Sequence, residues 1–308
     1  TPSIITLSDS TICYNAAPLE LTATPTLGGS GPPFLYQWQK TKASITKWVN
    51  VGSASTTSPP TYQPENLTSD TYYRLIAFDM GTPGCGSSFS FNSVLVTVQS
   101  EMTAGEIAQD QTICAGEVPS AITSTTDGSG RGTISYKWES TAVGKNGWIE
   151  IANETGNELV LPALTETISY RRTTLSVMNS DTCYSEPTAE VTITVNQLPT
   201  AGAGGTATIC SNSHIDVTGA SATYGDILWT HDGFGTLTNE TTLTPTYTAH
   251  ADDEGNKVTL LLTVSSVSCA PATDTATYIV NVDALPVATS GGSETICLNS
   301  QVTVSGAS

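Results

Sequence analysis

Basic residues are scarce. Lys and Arg together number 10 in 308 residues, against 28 Asp and Glu, and the net charge is -18. With no basic patch or stripe, the chain has little with which to neutralise a phosphate backbone, so nucleic acid is excluded as a partner. No apolar run approaches the roughly 18 residues needed to cross a bilayer as a helix, so this segment inserts into no membrane. The opening "TPSIITLSDS" lacks the basic start and apolar stretch of a signal peptide. The chain starts without Met and stops mid-pattern, and it is read as a piece of a longer protein. No helical period of useful length appears. Histidine is limited to His214, His231 and His250, and none has zinc-motif spacing. Nucleophile-elbow and phosphate-loop motifs are missing too; "GAGG" at 202–205 reads as a linker. These absences point away from catalysis. The chain is read as not an enzyme, with no catalytic residue and no cofactor.

Repetition is what the sequence has in quantity. "STICYNAAPLELTAT" surrounds Cys13, "QTICAGEVPSAITST" Cys114, "ATICSNSHIDVTGAS" Cys210 and "ETICLNSQVTVSGAS" Cys297. The spacings are 101, 96 and 87 residues, which is domain-sized. The expected domains are 1–100, 101–198 and 199–285, each a complete repeat, and 286–308, the start of a fourth. Cys85, Cys183 and Cys269 fall late in each repeat. The early–late order suggests pairs Cys13–Cys85, Cys114–Cys183 and Cys210–Cys269, although sequence alone does not fix connectivity. Each would close a loop worth on the order of 4 kcal/mol in unfolded-state entropy, and bridges imply an oxidising compartment. Cys297 is left over. Its partner is expected beyond the chain end, the rival reading being a free or intermolecular thiol.

Within a repeat, short alternating runs separated by turn residues read as about seven strands. "FLYQWQK" and "KWVNV" in the first repeat match "ISYKWES" and "GWIEI" in the second. "TYYRLIAF" matches "ISYRRTTL", and "NSVLVTVQ" matches "AEVTITVN" as the closing strand. The third repeat diverges, with "ILWTHDG", "TPTYTA" and "NKVTLLLTVSS". The fold class is all-β: tandem immunoglobulin-like and PKD-like β-sandwich modules in an extended string. Trp38, Trp138 and Trp229 are expected in the cores, the alternative being exposed sugar-stacking platforms. Tyr73 and Tyr170 are expected in the core beside them.

Acid is concentrated in the later repeats: thirteen acidic residues in 101–198 and nine in 199–285, against five in 1–100. A solvated acidic face explains most of it. The densest cluster, Asp252, Asp253 and Glu254 before Gly255 and Asn256, is a candidate Ca²⁺ site, with a plain surface turn as the alternative. His231 beside Asp232 is a candidate acid–base pair with little else to support it.

The "TICxG", "YxWxxS", "GW", "LTxTxxYRR", Cys and "VTITVN" series resembles the Ig-like and PKD-like repeats of very large Bacteroidetes surface proteins. These include gliding-motility adhesins and other cargo of the type IX secretion system. Cys114, Tyr136, Trp138, Trp148, Tyr170, Arg171, Arg172 and Cys183 carry the resemblance best. The first repeat has Leu75 where the second has Arg172, and the third lacks both the "GW" and the double Arg. The resemblance implies an extracellular, cell-surface stalk or adhesive segment. Its partners would be neighbouring modules of the same polypeptide and a surface polysaccharide or abiotic surface. The alternative is a carbohydrate-binding or spacer module of a secreted polysaccharide-degrading enzyme.

Overall fold

The computed structural model describes residues 1–308 except 9, 30–32, 46, 81–86, 91, 290, 294 and 304–308. The chain divides into two compact units. One holds Thr1–Gln111, Val118–Pro162 and Thr167–Thr194; the other holds Thr112–Glu117, Ala163–Glu166 and Val195–Ser308.

In the first unit, the first repeat is a sandwich of two sheets. A three-stranded sheet is formed by Ile5–Thr6, Leu21–Ala23 and Thr61–Tyr62. It packs on a sheet ordered Thr11–Ile12, Val94–Val98, Thr71–Asp79, Phe34–Lys42, Val49–Ser55, with Ser87–Phe89 beside Thr71–Asp79. Alternation explains the packing: Tyr73, Leu75 and Ala77 point inward and meet Trp38, Val96, Leu21 and Ile5 in one core. The second repeat builds its main sheet from Val191–Asn196, Ile168–Met178, Thr133–Ala142 and Ile149–Glu150, with Asp181–Tyr184 beside Ile168–Met178. Trp138, Tyr170, Ile122, Leu159 and Ile193 are buried in it, together with the charged Arg172.

A recurring half-buried pair explains the second Trp signal. The Arg74 guanidinium lies 4.2 Å over the Trp48 ring, and that of Arg171 lies 4.2 Å over Trp148. Arg74 donates to Gln39 Oε1 and Arg171 to Glu139 Oε2, which fixes each cation above its ring.

In the second unit, Thr206–Cys210, Thr273–Asp283, Lys257–Ser265 and Asp226–His231 form a four-stranded sheet in that order. His214–Asp216, Thr246–Thr248 and Thr236–Thr238 form a second sheet, and Thr200–Gly202 pairs with Ser221–Thr223. Trp229, Tyr247, Leu260, Leu262, Val264 and Val280 make the core. The described residues contain no α-helix, only the 3₁₀ turn Ala251–Asp253. The chain is thus an all-β protein of immunoglobulin-like sandwiches in tandem.

Candidate functional site

Each early cysteine opens the same turn. The N–H three residues on donates to the cysteine carbonyl: Ala16 to Cys13, Glu117 to Cys114, Ser213 to Cys210 and Ser300 to Cys297, at 3.2, 3.0, 3.1 and 3.0 Å. The residue between, two past the cysteine, takes a left-handed φ: Asn15 60°, Gly116 88°, Asn212 61° and Asn299 71°. Asn and Gly tolerate that conformation best, which is why "TICYN", "TICAG", "TICSN" and "TICLN" recur.

The bridges correct the sequence-based pairing. Cys13 is bonded to Cys183 and Cys114 to Cys269, while Cys210 and Cys297 are free. Cys13–Cys85, Cys114–Cys183 and Cys210–Cys269 are therefore not the pairs, and Cys85 itself lies outside the described residues. Strand direction supplies the reason. In the first repeat Thr11–Ile12 runs parallel to the closing strand, Ile12 opposite Val98, so Cys13 sits at the exit end of its sandwich. In the third, Cys210 lies opposite Asp283 and Lys257 opposite Asn281. Cys269 follows Ser265 at the other end of the same strand. Lys257–Ser265 has 9 residues, or roughly 30 Å at ~3.3 Å each, whereas a disulfide spans at most about 7 Å between Cα atoms. Cys183 lies opposite Ser176, near the end of Ile168–Met178 remote from its pairing with the closing strand at Ile168–Ile193. An early cysteine thus stands at the exit end of one repeat and a late cysteine at the entry end of the next.

Around Cys13–Cys183, polar groups of the first two repeats interlock. Gln99 is 0% exposed; its Nε2 donates to the Asp181 carbonyl at 3.2 Å and its Oε1 accepts from Ser176 Oγ at 2.7 Å. Asn179 Nδ2 donates to Thr11 Oγ1 at 3.0 Å. Arg131 Nη1 donates to Asp70 Oδ1 at 2.6 Å and to the Val98 carbonyl at 2.9 Å. The Arg131 guanidinium holds the Asp70 carboxyl below its ordinary range, against the opposing pull of burial. Arg131 reaches this place because its glycine neighbours lie flat on the sheet. A Cβ on Gly132 would strike the Val177 carbonyl, and one on Gly130 the Met102 sulfur and Ser176. The "GSGRG" segment therefore forms part of the joint. Buried, satisfied polar groups of this kind give a joint one geometry.

The other sequence-based residues fall elsewhere. Trp38, Trp138 and Trp229 are 5%, 0% and 2% exposed, and Tyr73 and Tyr170 are buried beside them. Trp138 Nε1 donates to the Gly156 carbonyl and Trp229 Nε1 to that of Thr242. Burial pushes the Tyr170 hydroxyl up to about 12. These rings hold the sandwiches together and offer no face to a sugar.

The acidic turn does not gather a metal-binding set, which corrects the Asp252–Asp253–Glu254 candidate. Asp253 is buried and points inward, accepting from Phe234 N–H at 2.8 Å, Tyr247 Oη at 2.7 Å and His250 N–H at 2.9 Å. Asp252 faces the His250 ring, and Glu254 accepts from Ser211 Oγ. Among the described residues no group of three His, Cys, Asp or Glu is placed to hold a metal ion. His231 and Asp232 also part company: the His231 ring meets Tyr247 edge-on, while Asp232 accepts from Thr259 N–H. His214 is exposed on its strand.

Burial alone would raise the Asp253 pKa, but the three donors outweigh it and hold the carboxyl below its usual range. A depressed carboxylate stabilises the fold above the ordinary carboxylate range and stops doing so as pH falls through its folded value. Asp253→Ala should therefore cost the third repeat about 2 kcal/mol at neutral pH. The deficit should shrink on acidification below roughly pH 4. Excess EDTA should leave the melting temperature unchanged; a drop on chelation in thermal melts would restore the metal reading.

A search of curated proteins finds no match. Among solved structures, mouse cadherin-23 repeats EC22–24 align over 92% of this chain and 99% of theirs, at 14% identity and a TM-score of 0.40. A Ca²⁺-stabilized, ice-binding adhesin of an Antarctic bacterium aligns over 95% of this chain and 76% of its own, at 15% identity and 0.41. The human desmocollin-1 ectodomain aligns over 96% and 65%, at 11% identity and 0.38. One family model matches the chain twice in succession, over residues 3–100 and 103–197. The chain therefore belongs to the family described as domain of unknown function DUF8696.

Proposed function

We propose that this chain is a structural and adhesive stalk segment of a large extracellular cell-surface protein, with no catalysis of its own. The observation that carries the reading is that both disulfides join consecutive repeats and neither closes a single one. A bridge inside a repeat stabilises that repeat; a bridge across a joint resists separation of neighbours, which matters to a chain that bears tension. The net charge of -18 supports the same reading, since like-charged modules outside a cell stay soluble and apart. The finer form is a gliding-motility adhesin exported by a type IX system, with surface polysaccharide or an abiotic surface as target. It rests on the resemblance of the repeats. We divide the chain at 1–100, 101–198, 199–285 and 286–308. The buried tryptophans argue against the carbohydrate-platform alternative.

The test uses the cells that make the protein. Antibody to this chain should label intact cells, and Cys13, Cys114, Cys183 and Cys269 should resist alkylation in protein taken directly from them. Deleting the region should weaken attachment to polysaccharide or glass. Freely alkylated cysteines in protein confined within the cell would overturn the proposal.

A further inference from the structure

Cys210 has the surroundings of a bonded early cysteine but no bond. It opens the turn that Cys13 and Cys114 open, with the same i-to-i+3 hydrogen bond and the same left-handed third residue. Like Cys13, it comes directly after the isoleucine of a strand that runs parallel to the closing strand: Ile209 lies opposite Val282 as Ile12 lies opposite Val98. The residue after it repeats a further contact. Ser211 N–H donates to the Asp283 carbonyl at 3.0 Å, as Ala115 N–H donates to that of Asn196 at 2.9 Å. Asn196 and Asp283 hold the same place in "ITVN" and "VNVD". Of the three complete repeats, the first two early cysteines are bonded to the late cysteine of the next repeat. The third cannot reach its own late cysteine, Cys269, which is occupied by Cys114.

We infer that Cys210 is half of a further inter-repeat bridge, and that the exit end of the third repeat docks the late-cysteine segment of another repeat of this family. The inference rests on the stalk reading above. The occupant is defined by its chemistry: a thiol at the position of Cys183 or Cys269, at the entry end of a sandwich. Its source is a repeat further along the same polypeptide, because both bridges present join repeats of one chain. Bond formation is a two-electron oxidation. The late cysteine first exchanges with a small-molecule disulfide, giving a mixed disulfide and releasing one small thiol. The Cys210 thiolate then attacks the late-cysteine sulfur; the new S–S bond forms and the second small thiolate leaves, taking up the proton Cys210 lost. Early and late cysteines thus make a ladder in which each repeat is bonded to the one before and the one after. Cys297, which opens the same turn, is assigned the same role.

The decisive experiment is non-reducing peptide mapping of the full protein isolated from its cells under acidic, alkylating conditions. Cys210 should be recovered bonded to a late-type cysteine. Recovery from the monomer band of a non-reducing gel supports the inference; recovery only from a dimer or higher band, joined to the Cys85 of a second copy, overturns the assigned occupant. A free Cys210 thiol, or a bond to a small thiol or to Cys297, overturns the inference. Cys210→Ser should abolish that one cross-link and leave Cys13–Cys183 and Cys114–Cys269 intact, which separates loss of the bridge from misfolding. Intact bridging in cells whose attachment does not depend on the region would leave the ladder standing and remove the adhesive reading.

Discussion

Pulled from its two ends until every sandwich has opened, the oxidised chain should stop at a little over a third of the length it reaches after reduction. Cys13–Cys183 and Cys114–Cys269 overlap in sequence, with separations of 170 and 155 residues. Three stretches of chain therefore run in parallel between the two bridges: 13–114, 114–183 and 183–269. The shortest, about 70 residues, goes taut first and shields the other two. With both tails added, the load-bearing path holds roughly 120 residues, at about 3.5 Å each, of the 308 in the chain. Reduction should then release on the order of 650 Å of contour length in single-molecule stretching. Three bridges within repeats would give a similar total, so length alone is not the test. The double variant Cys85→Ser, Cys210→Ser decides it: the release should remain complete, whereas within-repeat bridges would lose two of their three links and most of the effect. Cys183→Ser should leave one loop and a path of about 150 residues. At equilibrium, closing a 170-residue loop is worth about 5 kcal/mol against the fully unfolded chain, so reduction should also lower the denaturation midpoint markedly.

What could be read from residue order alone was the alternation, and hence the cores. Trp38, Trp138 and Trp229 each follow an apolar or aromatic residue two places before, Tyr36, Tyr136 and Ile227, and shared burial follows from period two. The turn after each early cysteine is also visible as Asn or Gly at a fixed offset. Which end of a sandwich a cysteine occupies is not visible, because that depends on strand direction. Thr11–Ile12 is only two residues long, and its parallel pairing with Val94–Val98 leaves no mark in composition. An early and a late cysteine 72 residues apart look like natural partners until that direction is known. The acidic turn failed for a related reason. Three consecutive carboxylates look alike in sequence, yet Asp253 closes a capping box and is drawn in by the Tyr247 hydroxyl, while its neighbours face outward. "DGFG" marks where this loop approaches the core: a Cβ at Gly233 or Gly235 would collide with that hydroxyl.

Arg172→Ala should be the most damaging single substitution in the second repeat, at about 4 kcal/mol. The side chain is 0% exposed, with its guanidinium 4.3 Å over the Tyr136 ring and 5.7 Å over Trp138. Nη1 donates to the Asn157 carbonyl at 2.9 Å, and Nη2 to those of Ala104 and Thr126 at 3.3 Å each. Burial lowers the pKa of the group, with Tyr136 and Asp127 pulling it back. Truncation leaves a cavity against Trp138 and removes a donor from the Asn157 and Thr126 carbonyls; that of Ala104 keeps Thr174 Oγ1. Arg172→Leu is the informative comparison. The first repeat places Leu75 opposite Trp38 where the second places Arg172 opposite Trp138. Leu fills most of the volume and needs no solvated charge, so only the lost hydrogen bonds remain, about 1–2 kcal/mol. Arg172→Lys should fall between, because an ammonium cannot span three carbonyls as a planar fork does. Denaturant melts followed by tryptophan emission would rank the three variants. If Ala and Leu prove equally harmful, the hydrogen bonds dominate over packing; if Ala costs under 1 kcal/mol, the guanidinium is not the centre of this core.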